Sequence, residues 1–115
     1  MNLLPRALAI GVEMCAATLP DDASPMDTAI ALACPEVGCV PLRRSADGHG
    51  FEPVPMHSRS DAWAKASHCA RDVKQDAERW AQADAVGVCF PHGGPDYVLA
   101  PDTRQLTAFA ATVAT

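Results

Sequence analysis

Residues 60–83 read Ser60-Asp-Ala-Trp63-Ala-Lys65-Ala-Ser-His68-Cys69-Ala70-Arg71-Asp72-Val73-Lys74-Gln75-Asp76-Ala77-Glu78-Arg79-Trp80-Ala-Gln-Ala83, with no glycine or proline before residue 87. Trp63, Ala66, Ala70, Val73, Ala77 and Trp80 recur at alternating spacings of three and four. That period places them on one stripe of an amphipathic helix. The other face carries Lys65, Arg71, Lys74, Gln75 and Glu78, and Asp61 precedes Lys65 in the favourable i,i+4 order. Ser60 is suited to cap the start. The spacing predicts one long helix over 60–83 that lies close on a sheet, because the residues between its two tryptophans are small or β-branched. Asp72 and Asp76 share a face of it at i,i+4, flanked by Arg71, Lys74 and Arg79, and read as a solvated surface.

On its C-terminal side, Ala85–Phe90 is an apolar run of strand length. Pro91–Asp96 is a dense turn sequence, and Tyr97–Ala100 is a return strand. Asp102 follows Pro101 as a helix cap, and Leu106, Phe109, Ala110 and Val113 give a last helix its apolar stripe.

On its N-terminal side, Val37–Arg44 and Phe51–His57 flank Ser45-Ala-Asp-Gly-His-Gly50, the pattern of a β-hairpin. Pro41, Pro53 and Pro55 cannot donate to a ladder, which predicts edge-like or partly paired arms. Further upstream, Ser24-Pro25-Met26-Asp27 has a cap, a proline at the first helical position and an acid near the positive end of the helix dipole. Pro35 ends that helix. Residues 6–19 read as a first helix after Pro5, with a buried strand over 8–15 as the alternative.

The order helix, helix, hairpin, long helix, hairpin, helix predicts an α+β fold. Its small antiparallel sheet is built from two β-hairpins, packed on a long helix with short N- and C-terminal helices. The 115 residues are read as one domain. Aromatic residues are only 5% of the chain, so Trp63, Trp80, Phe90, Leu99, Leu106 and Phe109 are expected to anchor a thin, alanine-rich core.

Net charge is −5, and Arg43–Arg44 is the only adjacent basic pair, so direct binding of nucleic acid is not expected. No stretch reaches the length of a membrane span. The N-terminal apolar region, broken by Pro5, Arg6 and Glu13, lacks the pattern of a secretory leader. A cytoplasmic location is expected. Seven arginines against two lysines, with abundant alanine, match a GC-rich bacterial gene.

Five cysteines, at spacings of 19, 5, 30 and 20, follow no disulfide framework, and in a reducing compartment they serve as small hydrophobes. Cys34 and Cys39 form one short pair, and Cys89 with His92 a second. Together they supply the four N/S donors that tetrahedral zinc takes. His68 is expected in solvent and Cys69 beside the apolar stripe. There is no Walker loop, no G-x-G-x-x-G, no H-E-x-x-H and no G-x-S-x-G.

The hairpin tip, with Arg43, Arg44, His49 and Phe51, is the expected contact surface, because polar loops on a rigid scaffold carry binding. The leading expectation is therefore a small acidic cytoplasmic module that acts by protein–protein contact, of inhibitor, immunity or accessory type and without a cofactor. Self-pairing is a companion expectation. The alternative is a zinc-binding or thiol-dependent protein that uses Cys34, Cys39, Cys89 and His92.

Overall fold

The computed structural model describes residues 4–48, 50–55, 63–91 and 95–109. It is α+β, with a curled five-stranded antiparallel sheet and four helices. Helix α1 spans Leu4–Ala17 and α2 spans Pro25–Leu32, followed by strands β1 (Gly38–Arg44) and β2 (Phe51–Pro53). Helices α3 (Ala70–Gln75) and α4 (Ala77–Trp80) precede β3 (Ala85–Cys89), β4 (Tyr97–Leu99) and β5 (Leu106–Ala108). The strand order is β2-β1-β3-β4-β5, and every pair is antiparallel.

The signals for α1, for the start of α2 and for the 45–50 hairpin loop hold. At α2 the Ser24 hydroxyl accepts a 3.0 Å bond from the Asp27 N–H, and Pro25 occupies the first turn. This helix is the centre of the helical layer: it packs on β1 and β3 and touches α1, α3 and α4. The residue 45–50 loop closes with Ser45 N–H on the Gly50 carbonyl at 2.9 Å, and Gly48 takes a φ of +76° that glycine adopts without steric penalty.

The long helix is not formed over the described residues 63–83; its expected start at 60–62, with the Ser60 cap, lies outside them. Residues 63–69 are turn and extended backbone, with Ser67 exchanging backbone hydrogen bonds with Cys39 at 2.8 and 2.9 Å. Only 70–75 and 77–80 are helical, separated at Asp76 (φ −106°, ψ 29°). The physical reason lies in the two faces of the sheet. Trp80 is 1% exposed in the cluster under the helices, with Val12, Leu32, Cys39, Val86, Val88 and Leu99. Trp63 packs on the opposite face, against Val40, Leu42, Ala85 and Val98. A single straight helix would put both indoles on one side and leave the other face bare. Phe90 and Leu99 are buried as expected, whereas Trp63, Leu106 and Phe109 are half-buried.

Gly87 marks how closely the 63–69 segment lies on the sheet. A Cβ there would come within 2.6 Å of the Trp63 ring and 3.2 Å of Leu42 Cδ1.

Among the described residues the last helix is also absent. Residues 106–108 form β5, paired with β4. Arg104 adopts φ +58°, and its guanidinium donates to the carbonyls of Ala16 (2.9 Å), Leu19 (2.6 Å) and Pro20. The Ala16 carbonyl lies in the last turn of α1 and also accepts the Leu19 N–H at 3.1 Å, and the Leu19 and Pro20 carbonyls lie in the turn just beyond it. Glu13 on α1 reciprocates, accepting the Leu106 N–H at 2.6 Å. The expected helix positions 110 and 113 lie outside the described residues.

Prolines explain a third difference. β2, with Pro53, is an edge strand as expected, whereas β1 is interior although it contains Pro41 and is only partly paired at that rung. Register pairs Leu42 with Pro53, so Pro41 faces Val54, whose N–H donates to the Pro41 carbonyl at 2.9 Å. The reciprocal bond to the Val54 carbonyl cannot form, because proline has no N–H. Arg79 supplies it instead: Nε and Nη2 both donate to that carbonyl, at 3.3 and 2.9 Å, while Nη1 holds Asp76 at 2.6 Å. Arg79, expected on a solvated face, is 9% exposed.

This substitution of a side chain for a ladder bond is measurable. Arg79→Ala is expected to destabilise the protein by about 2–3 kcal/mol in urea unfolding, because a buried carbonyl and a charged partner are left unsatisfied. In a Pro41→Val background, which restores the missing N–H, the same substitution is expected to lose less, with a coupling of about 1 kcal/mol. Equal losses in the two backgrounds would separate Arg79 from the proline.

Candidate functional site

Two regions carry the side chains singled out from the sequence. The first surrounds Gly38, where β1 begins. Pairing of Gly38 with Cys89 and of Cys39 with Val88 turns the two cysteines to opposite faces of the sheet. Cys39 is fully buried under α2, its Sγ 4.0 Å from the Ala29 carbonyl. Cys89 lies on the other side, where a Cβ added at Gly38 would meet its Sγ at 2.8 Å and His68 Cε1 at 2.9 Å. Cys34 sits in a tight turn, exchanging backbone bonds with Val37, and its carbonyl lies 3.2 Å from His68 Nδ1.

The environments of His68 and Cys69 are the reverse of expectation. His68 is half-buried in this group and Cys69 is exposed. The loss of the helix at 63–69 is the reason, since extended backbone sends neighbouring side chains to opposite sides. Burial pushes the Cys89 thiol up to about 11, with the Asp96 carboxylate adding to the rise. Burial raises Cys39 further, reinforced by the thiols of Cys89 and Cys34. Both thiols are protonated at neutral pH. Among the described residues no three His, Cys, Asp or Glu side chains are grouped as metal ligands. His92 lies outside those residues.

The second region is the β1–β2 hairpin tip. Arg43 is paired with Glu52, Nη2 to Oε2 at 2.7 Å and Nε to Oε2 at 2.8 Å, across their register position. Arg44 points to the other face, its guanidinium 5.2 Å from the Phe51 ring centroid, while its N–H donates to Asp84 at 2.8 Å. The Ser45 hydroxyl donates to Asp47 at 2.6 Å. Of the expected contact residues the structure therefore joins Arg44 to Phe51 and sends Arg43 to Glu52. His49 lies outside the described residues.

Beside this tip is a groove of about 770 Å³. One wall is Ser45–Asp47 and Gly50–Glu52, and the other is Val98, Ala100 and Thr107–Phe109. The sheet curls far enough that both of its outer strands, β2 and β5, line the same opening. Phe109 packs on Trp63 with ring centroids 5.2 Å apart and 55° between planes. The lining mixes the apolar Phe51, Val98 and Phe109 with the polar Ser45, Asp47 and Thr107. The sequence reading missed Val98, Thr107 and Phe109 as wall residues, because Leu106 and Phe109 also fit a helical stripe. The alternative signal, a short Leu-Thr-Ala-Phe alternation, is too brief to separate strand from helix.

Neither outer strand is an open template. Pro53 removes a donor from the outer edge of β2, and Glu13 occupies the Leu106 N–H on β5. A smaller hollow of about 80 Å³ lies between α1, α2, β3 and β4.

The thiols set an alkaline limit on stability. A thiol whose ionisation is raised on folding is equally protonated in both states below pH 9. As pH rises from 9 towards 11, the unfolded chain loses protons that the folded one keeps, so stability falls over that window. The urea midpoint is expected to decline across it, and in a Cys39→Ala, Cys89→Ala variant the decline should be clearly shallower. An unchanged slope in the variant would assign the decline to other groups.

No protein-family model, no curated protein and no solved structure matches this chain.

Proposed function

We propose that this protein is a small binding module acting by protein–protein contact, and that the groove between the β1–β2 hairpin and the β4–β5 pair is its contact surface. The observation that carries this reading is that both outer strands of one curled sheet line a single opening, with the half-buried rings of Phe51 and Phe109 on it. Aromatic side chains set among polar groups are the composition of an interface core and its rim. With the strand edges occupied by Pro53 and Glu13, the groove recognises side chains of a partner segment more than its backbone. An apolar segment of another protein fits it. Action of inhibitor, immunity or accessory type is part of the same proposal.

The groove is favoured over the cysteines as the working site because strand register sends Cys39 and Cys89 to opposite sides of the sheet. A cytoplasmic location is part of the proposal, supported by five free cysteines and no disulfide. No helix among the described residues is long and apolar enough to cross a membrane.

Site-specific photocrosslinking tests the reading. A benzoylphenylalanine at Thr107, on the groove wall, is expected to capture a discrete protein partner in the native host. The same probe at the exposed Arg71 of α3 should not. Phe51→Asp, which places a charge on the groove wall, is expected to reduce the crosslink about tenfold or more. Identical products from the two positions, or a crosslink indifferent to Phe51→Asp, would exclude the groove.

A further inference from the structure

The outer face of α1 is a second surface, separate from the groove. Ile10 is 49% exposed and Met14 66%, the only large hydrophobic side chains exposed among the described residues. They share one helix face with Ala7, Gly11 and Ala17, all exposed, and no charged side chain lies on that face over 7–17. A Cβ at Gly11 would meet nothing within 4 Å, so the backbone there is open to close approach. Charge is confined to the ends. Arg6 is exposed at the start of the helix, and Asp21 and Asp22 are exposed just past its end. None of the three forms an ion pair among the described residues.

We propose that this face pairs with the same face of a second copy, the two α1 helices running antiparallel and crossing near Met14. A two-fold interface must be complementary to itself. This one is, because it carries both projections (Ile10, Met14) and hollows (Gly11, Ala17). The end charges choose the orientation: antiparallel helices bring Arg6 of each copy to Asp21 and Asp22 of the other, whereas parallel helices set like charges together. The 14 residues of α1 extend about 21 Å. One helix face of that length covers roughly half of the ~800 Å² per partner found in a standard interface. An interface of that size belongs to the weak, transient class, so association is expected only towards high concentration.

Sedimentation of the full chain from 10 µM to 1 mM is the test. The mass is expected to rise from 12.1 kDa towards about twice that value. Met14→Asp or Ile10→Asp, both at exposed positions, should weaken association about tenfold or more while thermal melting is unchanged. Asp21→Lys with Asp22→Lys should weaken it up to about fivefold, even though the net charge falls. Adding Arg6→Glu to that pair should restore it to within about twofold. A monomer at 1 mM, a dimer indifferent to Met14→Asp, or no recovery in the charge-reversed variant overturns the proposal. So does binding of the monomeric chain to phosphatidylcholine vesicles that Met14→Asp abolishes, which would assign the face to a lipid surface.

Discussion

The bond from the Arg79 guanidinium to the Val54 carbonyl is the constraint on which the rest of the architecture turns. A proline in an interior strand leaves one carbonyl of its partner without a donor. In an apolar layer that omission costs about as much as the loss of a hydrogen bond to a charged group. Arg79 reaches the gap only because α4 ends beside it, and Asp76 fixes the guanidinium from the other side. The same Asp76 separates α3 from α4, its carbonyl accepting the N–H groups of both Arg79 and Trp80 at 3.1 Å. One short segment therefore completes the β1–β2 ladder, seats Trp80 among the helices and interrupts the helix on which it lies.

That segment also shows where periodicity misleads. The six residues from Trp63 to Trp80 fit a helical stripe, and a stripe implies one buried face. The sheet has two faces to cover and few large residues with which to do it. Trp63 serves one side and Trp80 the other, and the chain between them must cross from one to the other. Tertiary packing overrides helix propensity here, since propensity differences are tenths of a kcal/mol per residue and burial of an indole is about 2–3. By contrast, the α2 cap and the hairpin loop depend on residues three to five apart, and both were legible.

The C-terminal segment failed for a different reason. Its expected helix rested on Asp102, Leu106 and Phe109, all local. What organises it is long-range: Arg104 reaches back to the end of α1, and Glu13 reaches forward to β5. Neither contact leaves a trace in spacing, because residues about ninety apart share no period. The candidate site was legible to the same extent. Arg43, Arg44 and Phe51 could be placed on a hairpin tip from turn chemistry alone. The facing wall, from β4 and β5, could not. The cysteines show the converse. Cys34, Cys39 and Cys89 do gather near the start of β1, but strand alternation, invisible until register is known, splits Cys39 from Cys89.

The two walls of the groove are thus held by two independent polar clamps, both anchored in helices on the far side of the sheet. Arg79 fixes the β2 wall, and the Arg104–Glu13 exchange fixes the β5 wall to α1. Helix α1 spends its inner face on Val12 and Ala16 in the core, and its polar groups on β5. Its outer face is under no such demand, and a solvated helix face ordinarily carries Lys, Glu or Gln at several of these positions. Ala7, Ile10, Gly11 and Met14 stand there instead. Nothing in the folding of one copy needs them, which is why their chemistry is best explained by contact with another.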